Sequence, residues 1–336
     1  MTTKDISFII PVYNRPEETK ELLQSFVSLQ GNKDFEIVIV EDGSNIKSDE
    51  VVQCFSNKLN ISYFYKPNSG PGDSRNFGMK HAKGNYFIIL DSDCILPNQY
   101  LTEAIKSLNK NYVDCFGGPD AADESFTNIQ KAINFAMTSF ISTGGIRGKK
   151  ASVGVFQPRS FNMGISKKAF EATNGFGNIH PGEDPDLSIR LTKLGFKTRL
   201  YENVFVYHKR RISWSKFYKQ VHKFGMVRPI LNAWHPKTKK ITYWFPSVFC
   251  FGFLLALSLC FFDIYFLMVI FVIYFFVAFI LALLKTKSIT VALMSLYAIC
   301  IQFFGYGYGF VKSTLKLKRS KTHIEERFPE LFFKLK

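Results

Sequence analysis

Two carboxylates stand one residue apart in the stretch Asp91-Ser-Asp93. They directly follow Tyr86-Phe-Ile-Ile-Leu90, a short apolar run that predicts a strand buried on both faces. Open α/β sheets bind their ligands at the carboxyl ends of such strands. Carboxylate oxygens at this spacing can hold one Mg²⁺ or Mn²⁺ and leave positions for phosphate oxygens. The alternative is an ordinary polar turn, so the neighbouring motifs have to decide.

A second group of acids lies near the middle of the chain. Glu183, Asp184 and Asp186 directly precede the apolar residues Leu187 and Leu191, a pattern that predicts the first turn of a helix. The helix dipole favours acids at that position without any catalytic role. That explanation accounts for one carboxylate better than for three. The group is therefore a second candidate for chemistry.

The elements that position these acids repeat in a regular order. Apolar runs at 6–12, 35–40, 61–65 and 86–90 predict strands, and helical patterns separate them. This alternation predicts an α/β fold with a doubly wound, mainly parallel sheet. Since the carboxyl ends of parallel strands meet at one edge, the polar loops that follow the strands line one crevice.

Four motifs follow one another in the first hundred residues: Pro11-Val-Tyr-Asn14, Val40-Glu-Asp-Gly-Ser44, Gly72-Asp-Ser-Arg-Asn-Phe-Gly78 and Asp91-Ser-Asp93. Together they resemble the ordered signature of family 2 glycosyltransferases. The resemblance covers roughly residues 5–210. It implies the GT-A fold, a Rossmann-like nucleotide-diphospho-sugar transferase domain. It also implies transfer of a sugar from a nucleotide-diphosphate sugar, here a UDP-sugar, to a hydroxyl or phosphate acceptor.

The resemblance assigns donor-binding and metal-binding roles to particular residues. The nucleotide-sugar set is Pro11, Tyr13, Asp42, Arg75, Asp91 and Ser92, and the Mg²⁺ or Mn²⁺ set is Asp91, Asp93 and His208. Pro11 and Tyr13 would shape the uridine pocket, and Arg75 would offer a forked donor to the diphosphate or base. For three of these residues a role without a ligand remains open. Asp42 could be an ordinary turn residue, Arg75 a solvated helix residue, and His208 a histidine at the end of a strand that binds no metal.

The resemblance also places the catalytic carboxylate in the second acidic group. Asp184 would be the general base, and Glu183 would orient the acceptor or the donor. A base that takes the acceptor proton during attack on the sugar carbon is what an inverting single displacement needs.

Composition restricts the partners of the chain. Its 336 residues carry a net charge of +16, which suits an anionic membrane surface, a phosphate-bearing substrate or nucleic acid. No motif resembles a nucleic-acid-binding one, and the basic residues crowd near the apolar segment, so we predict no nucleic acid. The six cysteines show neither metal-ligand nor redox spacing, which predicts a reducing compartment. The polar residues 1–5 predict no signal peptide.

The last third of the chain is almost wholly apolar. Stretches at 244–262, 264–284 and 289–311 are each about 20 residues, long enough to cross a bilayer. Basic residues flank this region on both sides and favour the cytoplasm, so we predict two crossings. The remaining stretch would lie in the interface or re-enter. The candidates are the first, which ends at Asp263, and the third, which we expect to be interrupted at the glycines of 305–309.

The predicted organisation has four parts. They are a GT-A domain over 1–211, an interfacial amphipathic helix and linker over 212–240, a membrane region over 241–311, and a basic cytoplasmic tail over 312–336. An apolar helical pattern at 126–141 either covers the sheet or lies on the membrane.

We therefore predict a multi-pass cell-membrane glycosyltransferase with a cytoplasmic catalytic domain. It would be metal-dependent and inverting, with a lipid-linked or membrane-proximal acceptor, and an oligomer is possible. The alternatives are a polysaccharide synthase that extrudes its product and a non-catalytic accessory protein. Few spans leave little room for a pore, and an accessory protein would be expected to lose Asp93 or Asp184.

Overall fold

The computed structural model describes residues 1–121, 126–144, 156–208, 213–319 and 322–333. These residues form two compact units. The first holds the described residues of 1–123 and 154–209 together with Phe332 and Phe333. The second holds those of 124–153 and 210–331. The predicted boundary between residues 211 and 212 lies outside the described residues.

The described strands of the first unit are β1 Ile6–Val12, β2 Glu36–Asp42, β3 Ile61–Lys66, β4 Tyr86–Leu90, β5 Cys94–Ile95, β6 Cys115–Gly117, β7 Asp120–Ala121, β8 Asn162–Ser166, β9 Thr198–Leu200 and β10 Val206–His208. Seven of them form one sheet, in the order β3-β2-β1-β4-β8-β6-β9. The other three form a smaller sheet, in the order β5-β10-β7. Strands β1 to β4 are parallel, as predicted. Strand β8 is antiparallel to both neighbours, which makes the sheet mixed.

Helices cover both faces of this sheet. They are α1 Pro16–Val27, α2 Asp49–Gln53, α3 Pro71–His81, α4 Tyr100–Lys110, α7 Lys167–Thr173 and α8 Glu183–Lys193. Alternate residues of β1 point to opposite faces. Phe8 therefore joins the aromatic cluster of Phe26 and Phe35, with ring centroids 4.8 Å and 5.1 Å away, while Ile9 packs in the other core. The buried strands direct their carboxyl ends to one edge.

The second unit is helical. Its helices are α5 Asn128–Thr138, α6 Phe140–Thr143, α9 Trp214–Trp234, α10 Phe245–Cys260, α11 Phe266–Thr286, α12 Ile289–Arg319 and α13 Ile324–Arg327. Among the described residues, the stretches Ile241–Cys260, Phe266–Thr286 and Ile289–Arg319 are long and apolar enough to cross a membrane. Many of their large apolar side chains are exposed, as lipid-facing residues would be.

Helix α5 is the helix of the apolar pattern at 126–141. Its buried residues Ile133, Phe135 and Met137 belong to the same apolar cluster as Phe249 and Phe303 of the long helices. The structure therefore packs α5 within the helical unit, against the apolar helices.

The expected interruption of the third apolar stretch is wrong, because α12 runs unbroken through residues 305–309. These glycines instead permit close helix packing. A Cβ on Gly309 would overlap the backbone of His222 in α9, and one on Gly307 would lie 3.0 Å from the carbonyl oxygen of Pro246 in α10. Small residues of this kind let helix backbones approach each other.

Candidate active site

The Asp91-Ser-Asp93 turn meets His208 through the small sheet. Strand β10 pairs antiparallel with β5, and this register places His208 opposite Cys94. His208 Nε2 consequently lies 3.1 Å from Asp93 Oδ1 and 4.0 Å from Asp91 Oδ2. The imidazole is held flat against Phe161, with ring centroids 4.8 Å apart. Candidate ligand atoms from two distant parts of the chain therefore lie close together: Asp93, Cys94 and His208 form one cluster, and Asp91 lies beside it.

The chemistry of these donors fits a hard divalent cation. Arg15 pairs with Asp93 Oδ2 at 2.7 Å, and Arg75 pairs with Asp91 Oδ1 at 2.8 Å. The other oxygen of each carboxylate faces His208. The Cys94 thiol is also close to Asp93 and His208, but burial raises its pKa well above the usual value, so it stays neutral. Mg²⁺ and Mn²⁺ prefer carboxylate oxygen to a neutral thiol.

Arg75 links the two acidic groups. One nitrogen, Nη2, donates to Asp91, and Nη1 lies 3.2 Å from Glu183 Oε1. The side chain is only 4% exposed, and its guanidinium lies over the ring of Phe176. Burial opposes the charged form, but the carboxylates of Asp91 and Glu183 outweigh it and raise the pKa of Arg75. Arg75 is thus a buried bridge and not a solvated helix residue.

Glu183 and Asp184 open helix α8, where the dipole favours negative charge. Burial would raise the pKa of Glu183, but His180, whose Nδ1 is 3.0 Å from Oε1, and Arg75 outweigh it and lower that pKa. Burial and the Glu183 charge raise the pKa of Asp184, against the opposite influence of Arg75 and Arg159. The Oδ1 atom of Asp184 is buried and has no hydrogen-bond partner in the described part of the chain. The neighbours therefore differ: Glu183 stays ionised, and Asp184 is the more basic carboxylate.

The third acid of this group has a structural role. Arg190 pairs with Asp186 Oδ2 at 2.8 Å, one turn along α8. The same guanidinium donates to the carbonyl oxygens of Thr173 and Gly175. Asp186 therefore orders the turn that follows α7.

Asp42 anchors the loop that leads into α3. Its Oδ1 accepts from Lys66 Nζ at 2.8 Å and from the amide of Ser69 at 2.9 Å. Its Oδ2 accepts from Asn68 Nδ2 at 3.3 Å and from the amide of Gly70 at 2.9 Å. A carboxylate has about four acceptor sites, so the loop occupies all of them. In this structure Asp42 organises residues 66–70.

The other predicted donor-binding residues lie at the ends of their strands. Pro11 pairs with Val40 in the register of β1 and β2. Tyr13 follows β1 and is 51% exposed, so its ring is available to a ligand. Ser92 is buried between the two aspartates. The structure thus joins Asp91, Asp93, His208, Arg75, Glu183 and Asp184 in one chain of contacts, and gives Asp42 a separate network.

Sequence reasoning missed three partners: Arg15, Lys66 and His180. Arg15 lies at the start of α1 and Lys66 at the end of β3, both at the edge of the sheet where we predict that a ligand binds, and this shared position is the signal that could have identified them. His180 stands three residues before Glu183 and contacts its carboxylate, so the short spacing in the sequence is the signal for this residue.

Residues 7–173 match the family model described as "Glycosyl transferase family 2". The chain carries a family 2 glycosyltransferase domain. The domain is 40% identical over 106 residues to an uncharacterized glycosyltransferase of Rickettsia conorii, a match over 32% of this chain and 17% of that protein. It is also 32% identical over 111 residues to the poly(ribitol-phosphate) beta-N-acetylglucosaminyltransferase TarS of Staphylococcus aureus, over 32% of this chain and 19% of TarS. The chain therefore matches less than a fifth of the length of these relatives.

A solved structure shares the fold of the family 2 domain. The mannosyltransferase PcManGT of Pyrobaculum calidifontis superposes with a TM-score of 0.53 at 15% identity, over 66% of this chain and 62% of that one. The predicted family and the predicted GT-A fold are both confirmed.

Proposed function

We propose that the chain transfers a sugar from a nucleotide-diphosphate sugar to an acceptor at a membrane, with inversion at the sugar carbon. The observation that carries this proposal is a series of contacts that runs from Asp93 to His208, Asp91 and Arg75 and ends at Glu183, the neighbour of Asp184. It puts a candidate cation site and a basic carboxylate on the two sides of one buried arginine.

The donor would bind at the edge where β1, β2 and β4 end. The exposed ring of Tyr13 would contact the base, and the loop that Asp42 organises would hold the nucleotide side. Asp91, Asp93 and His208 would hold Mg²⁺ or Mn²⁺, which when bound supplies positive charge to the diphosphate leaving group. PcManGT was solved with GDP-Man and Mn²⁺, and TarS is named for N-acetylglucosaminyl transfer. Both names support a nucleotide-sugar donor, and a UDP-sugar is our first candidate.

Asp184 would act as the general base. The acceptor hydroxyl would lose its proton to Asp184 as its oxygen forms a bond to the sugar carbon. The bond from that carbon to the diphosphate breaks on the opposite side, and the nucleoside diphosphate leaves. A base works best when its pKa approaches the working pH, so burial of Asp184 beside an ionised Glu183 favours this role. Glu183, fixed by His180 and Arg75, would orient the reactants.

The acceptor would be lipid-linked or membrane-proximal, because the same chain carries three apolar helices. Helix α12 has 31 residues and is about 46 Å long, well beyond a hydrocarbon core of about 30 Å. Its glycines 305 and 309 touch α9 at Val221 and His222. Helix α9 also carries Lys216, Lys219 and Lys223, which need water or headgroups.

This packing supports our prediction of two crossings. Helix α9 precedes the three apolar helices, yet it contacts the second half of the last one, just before the basic residues Lys312 and Lys316. Three full crossings would separate α9 and this part of α12 by the bilayer. We propose that both lie on the cytoplasmic side, where nucleotide sugars are made, and that α10 lies in the interface or re-enters.

The donor assignment can be tested with the purified full chain in lipid nanodiscs. We expect Mn²⁺-dependent release of nucleoside diphosphate from one member of a panel of UDP- and GDP-sugars, and more release when lipid extract is added as acceptor. Asp93→Asn serves as the matched inactive control. If no member is turned over, and neither UDP nor GDP binds, the proposal is wrong.

A further inference from the structure

Phe332 and Phe333 belong to the first unit. They contact residues 178 and 179, which lie about 150 residues earlier in the sequence. The backbone of Phe332 forms an antiparallel bridge with Ile179, which is 1% exposed. Asn178 Nδ2 donates to the carbonyl oxygen of Phe333 at 2.8 Å. Backbone pairing and a side-chain hydrogen bond therefore hold this segment beside the loop that precedes α8.

The ring of Phe333 covers the backbone of Gly70. A Cβ on Gly70 would overlap this ring, so the ring lies directly on the glycine. Gly70 has a φ of +97° and donates its amide proton to Asp42 Oδ2 at 2.9 Å. It is the last residue of the loop that Asp42 organises and the residue before α3, the helix that carries Arg75. Phe333 thus packs on the loop that we assign to the donor.

The same ring also contacts the acidic side of the site. Its centroid is 5.8 Å from that of His180, with an angle of 52° between the rings. His180 Nδ1 in turn lies 3.0 Å from Glu183 Oε1. A single aromatic side chain therefore touches both loops that lead into the site: one ends at Gly70 before Arg75, and the other contains His180 before Glu183.

We propose that Phe333 is a positioning residue of the donor site, whose ring holds the Gly70 turn and the His180 imidazole at a constant separation. The proposal rests on the proposed sugar transfer. Without the ring, both loops lose their shared neighbour, and donor binding has to order them. The free energy needed to order the loops lowers the affinity for the donor. The rate of the chemical step should change little, because Phe333 contacts no acid of the Asp91 or Glu183 groups in the described contacts.

The test compares alanine variants of the two neighbouring phenylalanines in the full chain. We expect Phe333→Ala to raise the donor KM by roughly 3- to 10-fold and to leave kcat within about 2-fold, as the loss of one aromatic contact predicts. Phe333→Tyr keeps the ring and should restore the donor KM. Phe332→Ala is the matched control, because it keeps the backbone bridge to Ile179, and its donor KM should stay within about 2-fold of wild type.

Asn178→Ala provides a second, milder route to the same effect. It removes the hydrogen bond to Phe333 and should raise the donor KM in the same direction. In the double variant with Phe333→Ala the two effects should be less than additive, since both act through one segment. If Phe333→Ala does not fold, Asn178→Ala alone carries the test.

The outcomes separate this proposal from the proposed function. Wild-type protein that turns over no nucleotide sugar and binds neither UDP nor GDP overturns both. Active wild type with an unchanged donor KM in Phe333→Ala and Asn178→Ala overturns the positioning role alone. Equal losses of kcat and thermal stability in both phenylalanine variants, with no change in donor KM, also overturn it.

Discussion

Asp184→Asn is the substitution that bears most directly on the catalytic role of the acidic pair. The amide has the shape of the carboxylate but cannot accept the acceptor proton. Loss of a general base typically costs 10²- to 10⁴-fold in rate, or about 3–5 kcal/mol of barrier. The structure predicts that little else changes, because Asp184 Oδ1 has no hydrogen-bond partner in the described residues and the donor-side groups are left intact.

Stability gives an independent readout of the same variant. Asp184 stands beside the ionised Glu183, so removal of its charge relieves repulsion between two neighbouring carboxylates, of which Glu183 is buried and Asp184 is half-buried. We therefore expect the Tm of Asp184→Asn to equal or exceed that of wild type while kcat falls. A structural carboxylate would show the opposite change in Tm.

The assay is steady-state turnover at saturating donor, combined with calorimetric titration of the nucleoside diphosphate. The matched control is Asp186→Asn in the same helical turn, where the lost partner is Arg190 and kcat should stay within about 3-fold. A variant of Asp184 that keeps its saturated rate and loses nucleotide affinity would refute the reasoning, since Asp184 would then be a binding residue.

Three further predictions test the groups around Asp184 and the membrane arrangement. Glu183→Gln removes a negative charge that raises the pKa of Asp184, while Arg75 and Arg159, which lower it, remain. The acid limb of the pH profile of kcat/KM should therefore move to lower pH. An acid limb that does not move would contradict the electrostatic coupling of Glu183 to Asp184. Arg75→Lys keeps the positive charge but removes the two guanidinium nitrogens that contact Asp91 and Glu183. We therefore expect at least a tenfold loss of kcat/KM and a lower Tm. Full activity of this variant would show that the contacts of Arg75 with the two acids are dispensable. In sealed right-side-out cells, a membrane-impermeant maleimide should not label the exposed Cys54 until the cells are lysed. The same should hold for Glu325→Cys, tested in a Cys54→Ser background. Labelling of Glu325→Cys before lysis would favour three crossings.

The sequence was informative where one local pattern decides the structure. The runs at 6–12 and 86–90 are strands because nearly every residue in them is apolar and buried. The acids of 183–186 do begin a helix, as their dipole preference and the following leucines predict. His208 came from the family resemblance, and its position beside Asp93 depends on the pairing of β10 with β5, which single-sequence patterns do not reveal.

The missed features depend on contacts between distant residues. The acceptor positions of the Asp42 carboxylate are occupied by donors that lie some 24–28 residues later in the chain. No local signal in the sequence distinguishes such a carboxylate from a free one. The glycines of 305–309 look like a helix break in isolation, whereas α9 and α10 make them a packing surface. Phe333 lies in a stretch that composition marks only as a basic tail. Its neighbours, Gly70 and His180, become visible only in three dimensions.

The most direct test of the proposed chemistry is donor turnover by the purified full chain in excess EDTA, followed by addition of Mn²⁺ or Mg²⁺. Because Asp91, Asp93 and His208 form the candidate cation site, turnover should stop in EDTA and return with either ion, and Asp93→Asn should stay inactive throughout. Full turnover in excess EDTA would contradict a metal-dependent transfer at this site.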